Sequence, residues 1–188
     1  MRFRKIGGAI AGVMIVSSAA WAAEITEVQI INGLQGGPAV TVVVDPAALM
    51  AEVNANVGKG AAALPSWGQL ANLTQLVVDI EFEYNSTAVV PSSYRTLGAI
   101  ADALHHPLLA RYKFLVVGHT DATGGADYNL KLSLARSEAI RDALVTTFTV
   151  APKRLFAVGV GEELPLDPAH PDGAVNRRVQ LVNIGETR

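Results

Sequence analysis

Hydrophobic and polar residues alternate most regularly between residues 76 and 83. Every second position there is apolar, and acidic residues fill most of the positions between; the apolar set is Leu76, Val78, Ile80 and Phe82. A period of two residues is typical of a strand with one buried face. We therefore predict a half-buried strand over this stretch.

A helical period follows the loop NSTAVVP. Ser92 or Ser93 is a candidate helix cap, and His105-His106-Pro107 a stop signal. The apolar positions between them that fit a period of 3.6 residues are Tyr94, Leu97, Ile100, Ala101 and Leu104. A second helix is predicted to open at Asp127 or Asn129 and to run to about Phe148.

Short apolar runs predict three further strands, at residues 114–117, 155–159 and 178–182. The resulting order is strand, helix, strand, helix, strand, loop, strand. This order predicts an α/β domain of the α+β type over residues 71–188, with two layers. Its mixed sheet should have about four strands packed by two or three helices.

The N-terminal third of the chain has a different composition. Residues 1–22 combine a basic start, MRFRK, with an apolar stretch and the small residues around Ala20-Trp21-Ala22, as a cleaved secretory signal peptide does; an uncleaved membrane anchor is the alternative. In residues 23–70, EITEVQII and AVTVVV predict a hairpin, followed by a short helix and a loop. This segment carries no evident chemistry, and it is either an arm that docks onto an envelope protein or a prefix to the domain.

Charge and cysteine content exclude some classes of protein. The formal net charge is −2, so the basic face of a nucleic-acid binder is not expected. The chain has no cysteine, which excludes structural disulfides and a lipid-bearing cysteine.

The second predicted helix carries an unexpected arginine. Stepping about 100° per residue places Asn129 and Arg136 on its apolar side, together with Leu132, Ala135, Ala139, Ile140, Ala143 and Leu144. A guanidinium that points toward a sheet is costly unless it is paired or reaches a wet cleft. Arg136 therefore needs either an acidic partner or an opening to solvent.

Asp121 is the candidate partner nearest in sequence. It follows a buried strand, where strand-to-helix loops often build binding sites, and Gly124 and Gly125 allow a tight turn back into the helix. Two interpretations remain open from the spacing. Asp121 and Arg136 form a structural ion pair, or they are held apart to bind the ammonium and carboxylate groups of a zwitterion.

At these residues the sequence resembles the OmpA C-terminal family of peptidoglycan-binding domains, over about Leu76 to Val182. Four blocks match in order: FEYNSTAVVP, GHTDATGGADYNLKLSLARSEAI, RLFAVGVGEELP and NRRV. The resemblance implies non-covalent binding of peptidoglycan in the periplasm, with association to the outer membrane in some members. It also implies that Asp121 binds the ammonium and Arg136 the D-centre carboxylate of diaminopimelate, with Asn129, Asn85 and Ser86 at the same pocket. No cofactor and no metal are implied.

The sequence departs from the family pattern in several places. Asp172-Gly173 stands where a Gly-Arg pair is usual, which removes a potential contact from that arginine. Gln180 replaces a glutamate. We expect neither the β-barrel that precedes this domain in the family's namesake nor the lipid-bearing cysteine of its lipoprotein relatives.

Parts of the sequence are also compatible with two other functions, a metal-dependent hydrolase and a membrane-anchored scaffold. His119 and Asp121 form an H-x-D spacing seen in some metal-dependent hydrolases, but the other histidines, His105, His106 and His170, supply no matching ligand spacing. A membrane-anchored scaffold of the flagellar stator type is the other alternative, although residues 6–20 contain no acid for proton transfer. We therefore expect a binding protein and not an enzyme, with peptidoglycan as partner, no nucleic acid, and dimerisation left open.

Overall fold

The computed structural model describes residues 14–15, 25–36, 44–83 and 86–186. Its centre is a mixed sheet whose long strands are β2 (Gln75–Val78), β3 (Tyr112–Gly118), β4 (Leu155–Gly159) and β5 (Val179–Glu186). A two-residue strand, β1 (Met14–Ile15), lies parallel to β2 at one edge. The order across the sheet is β1-β2-β5-β3-β4, with β5 antiparallel to both neighbours and β3 parallel to β4. The predicted mixed sheet and α/β class are confirmed.

Three of the helices pack on one face of this sheet. They are α1 (Glu27–Leu34), α4 (Tyr94–His105) and α5 (Ala126–Thr146). Their apolar side chains form one core with the inward residues of the strands, among them Leu76, Phe114 and Leu181. The two predicted helices are confirmed as α4 and α5. Tyr94, however, is exposed, because it begins α4 at the rim of the core.

The hairpin prediction for the N-terminal segment is wrong in its first half. Glu27–Leu34 is a helix, and Thr26 and Gln29 form a capping box in which each side chain bonds the backbone N–H of the other. Ile30, Ile31 and Leu34 fit a helical spacing as well as they fit a strand, and they are buried against the core. The second predicted strand, residues 39–44, lies outside the described residues except for Val44.

Residues 44–73 cover the other face of the sheet. They form α2 (Pro46–Ala55), α3 (Pro65–Gly68) and the one-turn helices Ala61–Ala63 and Gln69–Asn72. Their apolar residues make a second core with the outward residues of the strands. Burial on both faces explains why β3 reads as a continuous apolar run. This segment is therefore a layer of the fold, which the division at residue 70 did not anticipate.

The carboxylate of Glu163 holds this layer to the loop after β4. Its two oxygens accept hydrogen bonds from the backbone N–H groups of Gly58, at 2.5 Å, and Gly60, at 2.7 Å. The side chain is buried, so these charge-assisted bonds compensate the removal of its charge from water.

Helix α5 lies unusually close to the sheet. A Cβ added to Gly118 would come 2.1 Å from the carbonyl oxygen of Ser133, and one added to Gly159 would come 2.3 Å from the nitrogen of Leu134. Only glycine permits this approach. The Ser133 hydroxyl also accepts a hydrogen bond of 2.8 Å from the N–H of Gly161.

This close approach corrects the predicted face of α5. The fully buried side chains are Asn129, Leu130, Ser133, Ser137, Ile140, Ala143 and Leu144. Leu132, Ala135 and Ala139, predicted to face the core, are only half-buried. The small serines lie where the helix is nearest the sheet, so a count of apolar residues misplaces the centre of the buried stripe.

No helix within the described part of the chain is long and apolar enough to cross a membrane. Apart from Met14 and Ile15, the predicted signal peptide lies outside the described residues. Signal cleavage and the membrane-anchored alternative therefore stay predictions.

Candidate functional site

Asp121 lies three residues beyond the end of β3, in a turn that leads into α5. Its Oδ1 accepts a hydrogen bond of 3.0 Å from the N–H of Thr123, and the left-handed backbone of Gly124, with a φ of 103°, completes the turn. The backbone around Asp121 is held on both sides, by Thr120 N–H to the Gly161 carbonyl and by Ala122 N–H to the Pro171 carbonyl, each at 2.9 Å. The carboxylate therefore has a fixed position, with its side chain 10% exposed.

The ion-pair partner of Asp121 is Arg177. Nη1 of Arg177 donates a hydrogen bond of 2.5 Å to Oδ2 of Asp121. The structural interpretation that paired Asp121 with Arg136 is wrong, and the reason is the strand order. Because β5 lies beside β3 with Gly118 opposite Val179, the residues just before β5 face those just after β3.

The electrostatics of Asp121 follow from this pairing. Burial by itself raises the pKa of Asp121, but the hydrogen bonds from Arg177 and Thr123 outweigh burial and hold the pKa below its ordinary value of 3.8. The group is therefore a carboxylate at neutral pH and is available as an acceptor.

Arg136 lies at the side of α5 next to the loop that follows Phe82. Its guanidinium stacks 4.8 Å from the centre of the Phe82 ring, and its Nε donates to the carbonyl oxygen of Ser86 at 3.4 Å. This is its one hydrogen bond to the described residues. Burial lowers the pKa of Arg136, and the nearby cation of Arg177 acts in the same direction, while Tyr128 and Asp121 oppose them. Arg136 is thus electrostatically close to both members of the Asp121–Arg177 pair without joining it.

Asn129 is fully buried on the first turn of α5 and positions the loop of Asp121. Its Nδ2 donates to the backbone carbonyl of Asp121 at 3.3 Å and to Oε2 of Glu162. The side-chain amide therefore contacts the main chain beside the carboxylate and not the carboxylate itself.

The other two predicted site residues belong to the loop after Phe82. Ser86 touches Arg136 through its carbonyl oxygen, while its hydroxyl accepts a local hydrogen bond of 3.0 Å from Ala88 N–H. Asn85 lies outside the described residues. The structure thus brings Asn129 into contact with Asp121 and Ser86 into contact with Arg136, and it places Arg136 close enough to Asp121 for an electrostatic interaction.

Sequence reasoning missed Arg177 and Glu162 as members of this cluster. Arg177 stands in the NRRV block that carries the family resemblance, so that block was the signal that could have identified it. Glu162 lies in a Gly-Glu-Glu loop with no pattern of its own. Its contact with Asn129 depends on the position of that loop relative to α5, which the local sequence does not determine.

An open cleft of about 630 Å³ adjoins the cluster, between the stretch 77–82 and the loop 166–178. Three arginines line it, Arg136, Arg177 and Arg178, and the stretch 77–82 contributes Asp79, Glu81 and Phe82. Two guanidiniums beside a buried carboxylate offer donors for an anionic group and an acceptor for a cationic one. The cleft is therefore suited to a small zwitterion.

The side chains of His119 and Asp121 have different partners, Gln180 for the first and Thr123 and Arg177 for the second. His119 is buried, and its Nε2 lies 3.0 Å from Oε1 of Gln180. Burial, together with the cation of Arg178, holds its pKa well below the ordinary value, so the imidazole is neutral. Nowhere in residues 14–15, 25–36, 44–83 and 86–186 do three His, Cys, Asp or Glu side chains gather closely enough to hold a metal ion.

Comparison with known proteins identifies the family of this fold. A model of the OmpA family matches residues 81–178. The peptidoglycan-associated lipoprotein of Pseudomonas aeruginosa is 32% identical over 133 residues, covering 69% of this chain and 77% of the lipoprotein. Outer membrane porin F of the same organism is 36% identical over 129 residues, covering 67% of this chain and 35% of the porin. The chain thus spans about a third of the porin's length.

Solved structures share the fold. The OmpA-like domain of FopA1 from Francisella tularensis superposes with a TM-score of 0.50 at 17% identity, covering 61% of this chain and 77% of that one. A putative MotB-like protein from Desulfovibrio vulgaris superposes with a TM-score of 0.50 at 25% identity, covering 61% and 74%.

Proposed function

Because the chain belongs to the OmpA family, we propose that its domain binds peptidoglycan without a covalent bond and links the cell envelope to the cell wall. We propose further that the group it binds is the diaminopimelate of the stem peptide. The observation that carries this second step is the arrangement of Asp121 and Arg136, which carry opposite charges, interact electrostatically, and bond different partners instead of each other.

Arg136 binds the carboxylate at the D-centre in this proposal. Its Nε is turned to Ser86 and its flat face rests on Phe82, so the side chain is held in place. No described residue accepts from its two terminal nitrogens. A guanidinium with a fixed plane and unused donors forms a forked pair with a carboxylate.

Asp121 binds the ammonium group on the same centre. The carboxylate already accepts from Thr123 and Arg177, but two ionised oxygens offer about four acceptor sites. The ammonium therefore joins Arg177 at the carboxylate or displaces it. Since the Arg177 side chain is 52% exposed, it can swing into the cleft at little cost.

Asn129, Ser86 and Asn85 complete the proposed pocket. Asn129 acts by holding the backbone of Asp121. Ser86 acts by orienting Arg136, with its carbonyl as the acceptor. Asn85 precedes Ser86 and is proposed to contact the ligand from the same loop.

The cellular setting follows from the relatives. One is named an outer membrane porin and another a peptidoglycan-associated lipoprotein. We place this domain in the periplasm, on the outer-membrane side, as a binding protein and not an enzyme. An envelope protein that binds the N-terminal segment would contact the outer surface of the layer formed by residues 44–73, or helix α1 on the other face of the sheet.

Co-sedimentation with purified diaminopimelate-type sacculi tests the proposal. The wild-type protein should pellet with sacculi, whereas Asp121→Ala and Arg136→Ala should remain in the supernatant. Arg141→Ala is the matched control, because Arg141 lies on the same helix and contacts Leu155 and Asp142 away from the cleft. If both site variants pellet like the wild type while circular dichroism shows them folded, the site is wrong. If the wild type does not pellet, the function is wrong.

A further inference from the structure

A second cavity lies on the other face of the sheet, beneath the layer formed by residues 44–73. Its volume is about 490 Å³, within the usual range of roughly 300–1,000 Å³ for small-molecule sites. The walls are mostly apolar and include Leu64, Trp67, Leu70, Val117, Leu166 and Val182. The linings of this cavity and of the proposed peptidoglycan cleft have three residues in common, Val77, Leu166 and Arg178.

One end of this cavity is polar, and its groups are neutral except for one. His119 bonds Gln180, and Gln180 in turn donates to the side-chain oxygen of Gln75. The imidazole is neutral because it is buried, so this chain of side chains carries no charge. The one charged residue that lines the cavity is Arg178.

Arg178 is a half-buried arginine with no acidic partner among the described residues. Its Nη1 and Nη2 donate to the carbonyls of Asn176, at 3.3 Å, and Leu164, at 3.0 Å, while its buried Nε has no acceptor. Burial lowers the pKa of Arg178 to about 10, so the group is still a cation at neutral pH. A buried charge left unpaired is costly, and an incoming anion would remove much of that cost.

We propose that this cavity binds a single-chain amphiphile with an anionic head, its carboxylate accepting from Arg178 and its apolar chain lying against Trp67, Leu64 and Val117. Charge complementarity favours an anion, because no acidic side chain lines the cavity. The apolar walls favour a hydrocarbon chain. The proposal goes beyond the binding of peptidoglycan: the apolar residues Leu64, Trp67 and Val117 lie outside the proposed peptidoglycan cleft, although Arg178 lines both.

Calorimetric titration of the purified chain with decanoate, below its micelle concentration, tests the proposal. Decanoate should bind, whereas decyltrimethylammonium should not and 1-decanol should bind at least tenfold more weakly. Arg178→Gln should weaken decanoate by roughly ten- to hundredfold, the range expected for a hydrogen bond to a charged group. Arg177→Gln is the matched control, because the neighbouring arginine does not line this cavity, and its decanoate affinity should equal that of the wild type.

A second variant tests the location. Gly68 lines the cavity, and a Cβ at this position would meet nothing within 4 Å, so Gly68→Leu adds a bulky side chain at the cavity without a clash at the backbone. This variant should keep its circular dichroism spectrum and its binding to sacculi but lose decanoate. The proposal would be overturned if decanoate gave no heat of binding or if 1-decanol bound as tightly as decanoate. It would also be overturned if a folded Gly68→Leu variant bound decanoate as tightly as the wild type.

Discussion

Two arginines of this domain rest on phenylalanine rings near opposite ends of β3, yet they have different surroundings. Arg154 lies 5.8 Å from the ring centre of Phe114, and its three donors all reach backbone carbonyls, those of Tyr112, Leu104 and Leu109, at 2.9, 3.0 and 2.6 Å. Arg136 lies over Phe82 and makes one hydrogen bond of 3.4 Å to the described residues.

The difference separates a structural arginine from a candidate binding residue. Burial lowers the pKa of both groups, so electrostatic perturbation alone does not distinguish them. What distinguishes the two arginines is how many of their N–H donors are hydrogen-bonded to the protein. Arg154 is buried and its donors reach protein carbonyls, whereas Arg136 lines a cleft together with Arg177, and its terminal nitrogens have no acceptor among the described residues.

The largest expected effect on stability concerns Arg154. Replacing it by alanine should lower the free energy of unfolding by about 3 kcal/mol or more, because each buried carbonyl left without a donor costs about 1–3 kcal/mol. Chemical denaturation followed by circular dichroism measures this. At temperatures where the variant is folded, its binding to sacculi should be unchanged. A loss below about 1 kcal/mol would show that the three carbonyls find other donors.

Arg136→Ala should reduce ligand affinity strongly and stability only slightly, the opposite of Arg154→Ala. Its affinity for a diaminopimelate stem peptide should fall roughly ten- to hundredfold, since a charge-assisted pair is lost. Its free energy of unfolding should change by about 1 kcal/mol or less, because one long hydrogen bond and a cation–π contact are removed. Calorimetry and denaturation on the same preparation measure both quantities. If Arg136→Ala lost as much stability as Arg154→Ala, Arg136 would be a structural arginine like Arg154.

The smallest effect concerns pH. The folded-state pKa of Asp121 is depressed, so its contribution to stability and binding is fully present above the ordinary pKa of 3.8 and is lost as pH falls through the depressed value. Replacing Arg177 by glutamine removes the main hydrogen-bond donor that lowers the pKa of Asp121. On acidification, binding should therefore be lost at a higher pH in Arg177→Gln than in the wild type. An NMR titration of the Asp121 carboxyl measures the shift; identical curves for wild type and variant would mean that Arg177 does not hold the carboxylate in solution.

Much of the fold was predictable from periodicity, because α4, α5 and the four long strands each have a clear apolar pattern. The exceptions have physical causes. Residues 27–34 read as a strand because two adjacent isoleucines fit either period, and the capping box at Thr26 decides for a helix. The buried stripe of α5 was misplaced because Ser133 and Ser137 are polar residues that face the sheet.

The site was predictable only in part. Asp121, Asn129 and Arg136 lie within one strand–turn–helix unit, so local pattern brings them together. Arg177 comes from a distant segment, and its contact with Asp121 requires β5 to lie between β2 and β3. Strand order is not a property of any single stretch of sequence. The pattern around Asp121 therefore offered only Arg136 as a partner, and it could not indicate that the ion pair is made with Arg177.

The central claim is that Arg136 binds the carboxylate at the D-centre of diaminopimelate. Stem tripeptides that carry either diaminopimelate or lysine at the third position test it directly, because lysine keeps the ammonium and lacks that carboxylate. By calorimetry, the wild-type protein should bind the diaminopimelate peptide at least tenfold more tightly, and Arg136→Ala should bind both peptides with the same weak affinity. Equal affinity of the wild-type protein for the two peptides, or a preference that survives in Arg136→Ala, would contradict the account.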